Sequence, residues 1–225
     1  MTATVIIPTT GNSELAGAIE SVLNQKHPTN CYIVCDGENY YGKVRTVTSE
    51  YLGDKRIKVC YLPENVGAKG FYGHRIYAAF THLINTKYLL YLDQDCVFRP
   101  DHVESCIDTI ESGGLDWCYS LRDIFTKNFE FICHDDCESL GKWKTYHGIN
   151  HIDTNCYCLK TEIAIKLASV WHGGWGQDRV FLSAISQHFP KWDCTGKYSV
   201  GYRVDGNAGS VNGDFFINGN KIMNQ

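Results

Sequence analysis

Two aspartates one residue apart, Asp93 and Asp95 flanking Gln94, follow directly on an apolar stretch, Tyr88–Leu92. Carboxylates at that spacing suit a hard cation such as Mg2+ or Mn2+, which prefers oxygen ligands and often shares its sphere with substrate phosphates. In a transfer whose leaving group is a nucleoside diphosphate, such a cation offsets the charge that develops on departure. The alternative is two solvated acids in a turn. As a bare pattern Asp-x-Asp is common; its place at the end of a buried strand is what favours the metal. A second cluster, Cys133 and Cys137 followed by His147 and His151, approaches the ligand order of a structural zinc site. Its intervening run is short, and a loop of coincidental residues is the plainer reading.

The elements around these residues alternate. Thr4–Ile7, Cys31–Cys35, Ile57–Leu62 and Tyr88–Leu92 read as strands, separated by helical patterns through Leu15–Leu23, Val44–Tyr51 and Ile76–Leu83. That order predicts an α/β domain with a largely parallel sheet. Ligands of such sheets bind beyond the carboxyl ends of the strands. The polar residues Pro8, Thr9, Thr10 and Asn12, then Asp36, then Asn65 and Gly67, then Asp93 and Asp95 fall at four successive strand ends, so one crevice is expected to gather them. Asp101 with Glu104 reads as a capping box opening a helix that Gly113-Gly114 ends. Beyond it, strands are expected at Asp116–Leu121, Phe129–Cys133, Asn155–Leu159 and Tyr198–Val204, and helices at Thr161–Trp171 and Gln177–Gln187. Character changes near residue 100, which divides the chain into a half at 1–98 and a half at 99–225 of one compact domain.

A length of 225 residues suffices for one full core. The net charge of −4, with no basic run, argues against nucleic acid or an anionic membrane as the main partner. The apolar stretches are strand-length, so no transmembrane segment is expected. The start lacks a basic and then apolar leader, and a cytoplasmic location is the expectation. Eleven cysteines, odd in number and scattered through apolar runs, read as reduced thiols.

Val5-Ile-Ile-Pro-Thr9, Ser21-Val-Leu-Asn-Gln25, Val34-Cys-Asp-Gly37, Glu64-Asn-Val-Gly67 and Leu92-Asp-Gln-Asp95 together resemble the successive landmarks of family 2 glycosyltransferases over about the first hundred residues. The resemblance implies a GT-A fold: a Rossmann-like, mostly parallel central sheet flanked by helices, with a smaller acceptor-side subregion. It implies a nucleotide-diphospho-sugar donor, best a UDP-sugar, a glycan or other hydroxyl acceptor, and Mn2+ or Mg2+ as cofactor. Position by position, it places Pro8, Thr9 and Thr10 along the nucleoside and Asp36 on the base. Asn65, Gly67 and Lys69 fall on the loop passing the ribose and phosphates, with His74 or Arg75 near the family's basic position. Gln94 lies between Asp95, the direct metal ligand, and Asp93, which contacts ribose or metal-bound water.

The second half is similar more loosely. Gly173-Gly-Trp-Gly-Gln-Asp-Arg179 resembles the acceptor-side motif, with Trp175 and Gly176 against the sugar and Asp178 as the catalytic base of an inverting transfer. Many relatives carry two adjacent acids there, where this chain has Gln177 before Asp178. A helix-start acid paired with Arg179 is the bland alternative. Asp153, in His151-Ile-Asp-Thr-Asn155, is a candidate for the acceptor pocket, and His172, His188, Asp193 and Asp205 are candidates for a third metal ligand. Two rival readings remain: a non-catalytic sugar-nucleotide or glycan-binding module, and a sugar nucleotidyltransferase. The second needs a basic glycine-rich loop after the first strand, whereas no Lys or Arg occurs before Lys26.

Overall fold

Ala3–Thr9 is apolar and β-branched, and all seven of its residues are buried, as a strand covered on both faces requires. In the computed structural model, which describes residues 1–204 and 211–225, it is the first of nine strands in one sheet. In chain order these are β1 (Ala3–Thr9), β2 (Thr29–Asp36), β3 (Ile57–Leu62), β4 (Tyr88–Tyr91) and β5 (Val97–Phe98). β6 (Trp117–Phe125), β7 (Phe131–His134), β8 (Tyr157–Lys160) and β9 (Trp192–Arg203) follow. The helices are α1 (Leu15–Leu23), α2 (Tyr41–Thr48), α3 (His74–Phe80), α4 (His102–Gly113), α5 (Thr161–Leu167), α6 (Gln177–His188) and α7 (Gly213–Met223).

The sheet order is β3-β2-β1-β4-β8-β6-β9-β5, with β7 pairing β6 as a hairpin. The first four strands are mutually parallel. β8 then enters antiparallel between β4 and β6, and β9 runs parallel to β6. The parallel block and the later strands therefore form one continuous sheet. The principal core is likewise continuous, from Ala3 to Val200, with a smaller cluster of Ile124, Cys137, Val204 and Phe216 beneath α7. No helix among the described residues is long and apolar enough to cross a membrane.

Several elements depart from their sequence pattern for local reasons. Asp101 makes no capping bond from its side chain; its carboxylate accepts from Lys197 Nζ at 2.9 Å instead. The helical pattern over Thr161–Trp171 tightens to a 3-10 turn at Ala168–Trp171. This brings Trp171 into the core, stacked on Phe181 at 4.1 Å and edge-on to Tyr91 at 5.3 Å. The strand expected from Phe129 starts at Phe131, because Phe129 occupies the hairpin turn with φ +65°. β9 begins six residues before the expected Tyr198, and α7, capped by the Asn212 side chain onto the Phe215 N–H, was not anticipated. Removing the Trp171 indole would leave a large cavity among aromatic neighbours. Trp171→Ala is expected to lower unfolding free energy by about 3–5 kcal/mol at unchanged denaturant slope, read from urea titrations.

Candidate active site

The parallel register sets Thr9 beside Cys35 and Asp36 beside Leu62, so the polar residues that follow emerge at one end of the sheet. They line a single cleft of about 730 Å³. Pro8, Thr9, Thr10, Asp36, Asn65, Gly67 and His74 form its first wall, Asp93, Gln94 and Asp95 its floor, and Asp153, Trp175, Gly176 and Asp178 the opposite side. Lys69, exposed on the loop after β3 with φ +62°, does not line it.

On the first wall, Asp36 holds the β3–α3 loop: its two oxygens accept the backbone N–H groups of Val66 at 2.7 Å and Gly67 at 2.9 Å. Gly67 is required by that approach, since a Cβ there would lie 2.1 Å from the Tyr72 carbonyl oxygen and 2.6 Å from Asp36 Oδ2. Gln94 turns back to the loop after β1. Its Oε1 accepts from Thr9 Oγ1 at 2.7 Å and from the Thr10 N–H at 3.1 Å, so its amide fastens the first wall to the floor.

Asp93 is pinned at both oxygens, accepting from the Tyr77 hydroxyl and from Asn155 Nδ2, each at 2.9 Å. Asn155 Nδ2 also donates to Asp153 at 2.7 Å, and Asn155 Oδ1 accepts the Asp93 N–H at 2.6 Å. Asp153 in turn accepts from Arg122 Nη1 at 2.6 Å. The buried Arg122 guanidinium also bonds Asp135 and Glu138 and lies over the Tyr202 ring at 4.1 Å. Burial, followed by the charges of Asp95 and Asp153, pushes the Asp93 carboxyl up to about 7. Burial also raises Asp95, against the opposing charge of Arg203. Arg203 ends β9 at the rim, and its buried Nε has no partner among the described residues. A set of oxygen ligands whose ionised forms are penalised by burial and mutual repulsion fits a hard divalent cation. Asp95, with Asp93 beside it, could hold one.

Across the cleft, Gly176 takes φ +80°, a left-handed turn that launches α6 and sets Asp178 in its first turn. Asp178 Oδ2 lies 2.6 Å from His151 Nε2. Burial opposes a charged imidazole at His151, but the Asp178 bond and charge outweigh it and raise the histidine's pKa. Conversely, burial would raise Asp178, yet His151 holds it below the ordinary carboxylate value. Arg179 does not form the ion pair of the bland alternative with Asp178; its guanidinium sits 5.4 Å from the Trp175 ring centroid. Trp175 is 78% exposed, an indole presented to whatever enters. His74 Nδ1 lies 3.2 Å from the Gly173 carbonyl oxygen, and burial lowers its pKa. His74 therefore ties the two walls together, and burial disfavours its charged form.

Other expectations resolve differently. Cys133, Cys137, His147 and His151 are not brought together: His151 serves Asp178, Cys137 Sγ lies 3.6 Å from Asp135 Oδ1, and His147 stacks on Tyr146. Among the described residues, the group of three metal-ligand side chains that does converge is Cys106, Cys118 and Cys158, fully buried between α4, β6 and β8, where thiols pack as small apolar groups. Of the third-ligand candidates, His172, His188 and Asp193 lie off the cleft, Asp193 pairing with Lys142, and Asp205 lies outside the described residues. Residues that sequence patterns did not single out are Tyr77, Arg122, Glu138, Tyr202 and Arg203. Each sits inside an ordinary helix or strand pattern or an unstructured run, and only the tertiary fold aims it at the site.

The glycosyl transferase family 2 model matches residues 4–159. A segment of 64 residues is 44% identical to an uncharacterized protein of Haemophilus influenzae, covering 28% of this chain and 43% of that protein. Among solved structures, S. aureus TarS residues 1–349 in complex with UDP-GlcNAc superposes with a TM-score of 0.70 at 13% identity, over 92% of this chain and 60% of that one. The same TarS fragment in complex with UDP gives 0.70 and 13% over 91% and 61%. The chain thus spans about three fifths of the TarS fragment, and the likeness is one of fold, the GT-A architecture.

Breaking the ion cluster under the floor should be costly, because Arg122 alone balances three carboxylates there. Arg122→Met is expected to lose about 3–5 kcal/mol of stability, seen as a lowered guanidinium midpoint.

Proposed function

Since the chain belongs to glycosyl transferase family 2, we propose that it moves a sugar from a nucleoside-diphosphate donor to a hydroxyl of a glycan or similar acceptor, with inversion at the anomeric carbon. The observation that carries this reading is the single cleft in which the strand-end acids Asp93 and Asp95 stand opposite Asp178. UDP is the favoured nucleotide. Asp36 keeps a free lone pair on each oxygen after its two loop bonds and is placed to accept from a base N–H. TarS, of the same fold, was crystallised with UDP and UDP-GlcNAc.

The nucleoside would lie along Pro8 and Thr9, with the diphosphate turned toward Asp95. When bound at Asp95 with Asp93 beside it, Mn2+ or Mg2+ would supply positive charge against the diphosphate. Arg203, at the rim with its Nη1 3.4 Å from Glu14 Oε1, would be the chain's own cation toward that leaving group. Trp175 offers the acceptor a flat apolar face. Asp178 takes the proton of the attacking hydroxyl as the new bond to the anomeric carbon forms on the side opposite the departing diphosphate.

A donor-hydrolysis screen with Mn2+ across UDP-, GDP- and dTDP-sugars tests the reading. The expected outcome is slow, metal-dependent release of one nucleoside diphosphate, abolished by Asp95→Ala. Asp178→Ala should keep donor affinity while lowering turnover by roughly 100-fold or more. Donor binding with no turnover in the wild type would leave a binding module instead, and normal turnover by Asp178→Ala would remove the base from Asp178.

A further inference from the structure

We propose that His151 is a positioning residue for the transfer step, holding the Asp178 carboxylate in one orientation across the acceptor side of the cleft. The inference rests on Asp178 being the base, and it assigns to His151 a role that involves no contact with substrate.

The geometry begins with the partner that Asp178 lacks. A carboxylate in the first turn of a helix is ordinarily served by helix N–H groups or a neighbouring cation. Here the adjacent guanidinium is engaged with Trp175, and among the described residues it is the Arg179 backbone N–H that reaches Asp178 Oδ1, at 2.8 Å. The other oxygen is given to His151 at 2.6 Å.

His151 has no second polar engagement. Its side chain is 6% exposed, and its Nδ1 is buried without a partner among the described residues. Burying an imidazole with one nitrogen unserved is unfavourable, and the Asp178 bond is its one polar return. The His151 backbone is also anchored, because its carbonyl accepts the Gly141 N–H at 2.8 Å. Two residues on, Asp153 locks into Arg122, and Asn155 locks Asp93. One five-residue segment therefore fixes the acids on both sides of the reaction.

The step balances without any change at His151. The acceptor O–H proton passes to Asp178, the hydroxyl oxygen bonds the anomeric carbon, and the electron pair of the breaking bond leaves on the diphosphate. His151 keeps its proton and its bond to Oδ2. Apart from Asp178, the charges bearing on His151 are Glu138 and Arg122; those bearing on Asp178 include Arg179, with His74 and Tyr157 nearby. Burial alone would raise Asp178's pKa, so removing His151 should move the acidic limb of turnover to higher pH.

The test has two arms on the whole chain. In the first, imidazole NMR titration of the wild type should show His151 titrating above the ordinary value of about 6.5, falling when Asp178→Asn removes the charge. Ordinary titration insensitive to Asp178→Asn overturns the proposal. The second arm measures Mn2+-saturated hydrolysis of the sugar nucleotide found in the screen, with water as acceptor, over about pH 3 to 8. His151→Leu should lower kcat by roughly 10- to 100-fold with donor KM within about twofold, and should shift the acidic limb upward. His151→Gln, which keeps an N–H donor, should recover most of the rate and also serves if the leucine variant folds poorly. Wild-type kcat and an unmoved limb in both variants overturn the proposal. A wild type that hydrolyses none of the sugar nucleotides sinks the glycosyl-transfer reading itself, and the NMR arm still decides whether the pair exists.

Discussion

Asn155 donates to Asp93 and Asp153 with one nitrogen and accepts the Asp93 backbone N–H with its oxygen. Through that amide, the end of β4 is bound to the acids that surround Arg122. The constraint is electrostatic. Asp93, Asp95, Asp135, Glu138 and Asp153 gather near two guanidinium groups, Arg122 and Arg203, with Asp135 and Asp153 buried and Asp93, Asp95 and Glu138 half-buried at the cleft. Charge of one sign in excess, out of water, is tolerated only where hydrogen bonds hold every member or a further cation completes the set. The sheet end supplies the bonds, and the arrangement of the cleft follows from where those bonds must run.

The same logic explains how the two sides of the cleft are held apart and in register. His74, at the start of α3, reaches the Gly173 carbonyl, while His151, ahead of β8, reaches Asp178. His74 is half-buried and links the first wall to the opposite side, whereas His151 is buried and joins two segments of that opposite side. Their pKa values move in opposite directions because they differ in partner. A carbonyl oxygen cannot offset burial of an imidazolium, and a carboxylate can.

What the amino-acid pattern disclosed follows from locality. Asp93 and Asp95 stand out because an apolar strand runs straight into them, and Asp36 and Asn65 stand out for the same reason at their own strand ends. The parallel block was legible as alternating periodicities. The partners of those residues were not. Tyr77 sits inside an unremarkable helix stripe, Arg122 inside a buried strand that also carries Ser120 and Asp123, and His151 is 27 residues from the acid it serves. Their significance exists only once β6, β8 and α6 have been brought side by side. The zinc spacing failed for the converse reason: four plausible ligands lay near one another along the chain, and the hairpin and the loop after it carry them to different surroundings. Lys69 shows a smaller version of this, a cation on the right loop whose left-handed backbone turns it outward.

β8 has a consequence for the order in which this protein can be made. β4 closes at Tyr91, yet its outer neighbour does not begin until Tyr157. As the chain leaves the ribosome, four parallel strands can assemble early, but the flank of β4 stays bare and apolar through the synthesis of α4, the β6–β7 hairpin and the long loop after it. An open edge of that kind invites pairing with another chain. Slow translation across that interval would lengthen the exposure of the waiting edge, and a holdase covering it would shorten it.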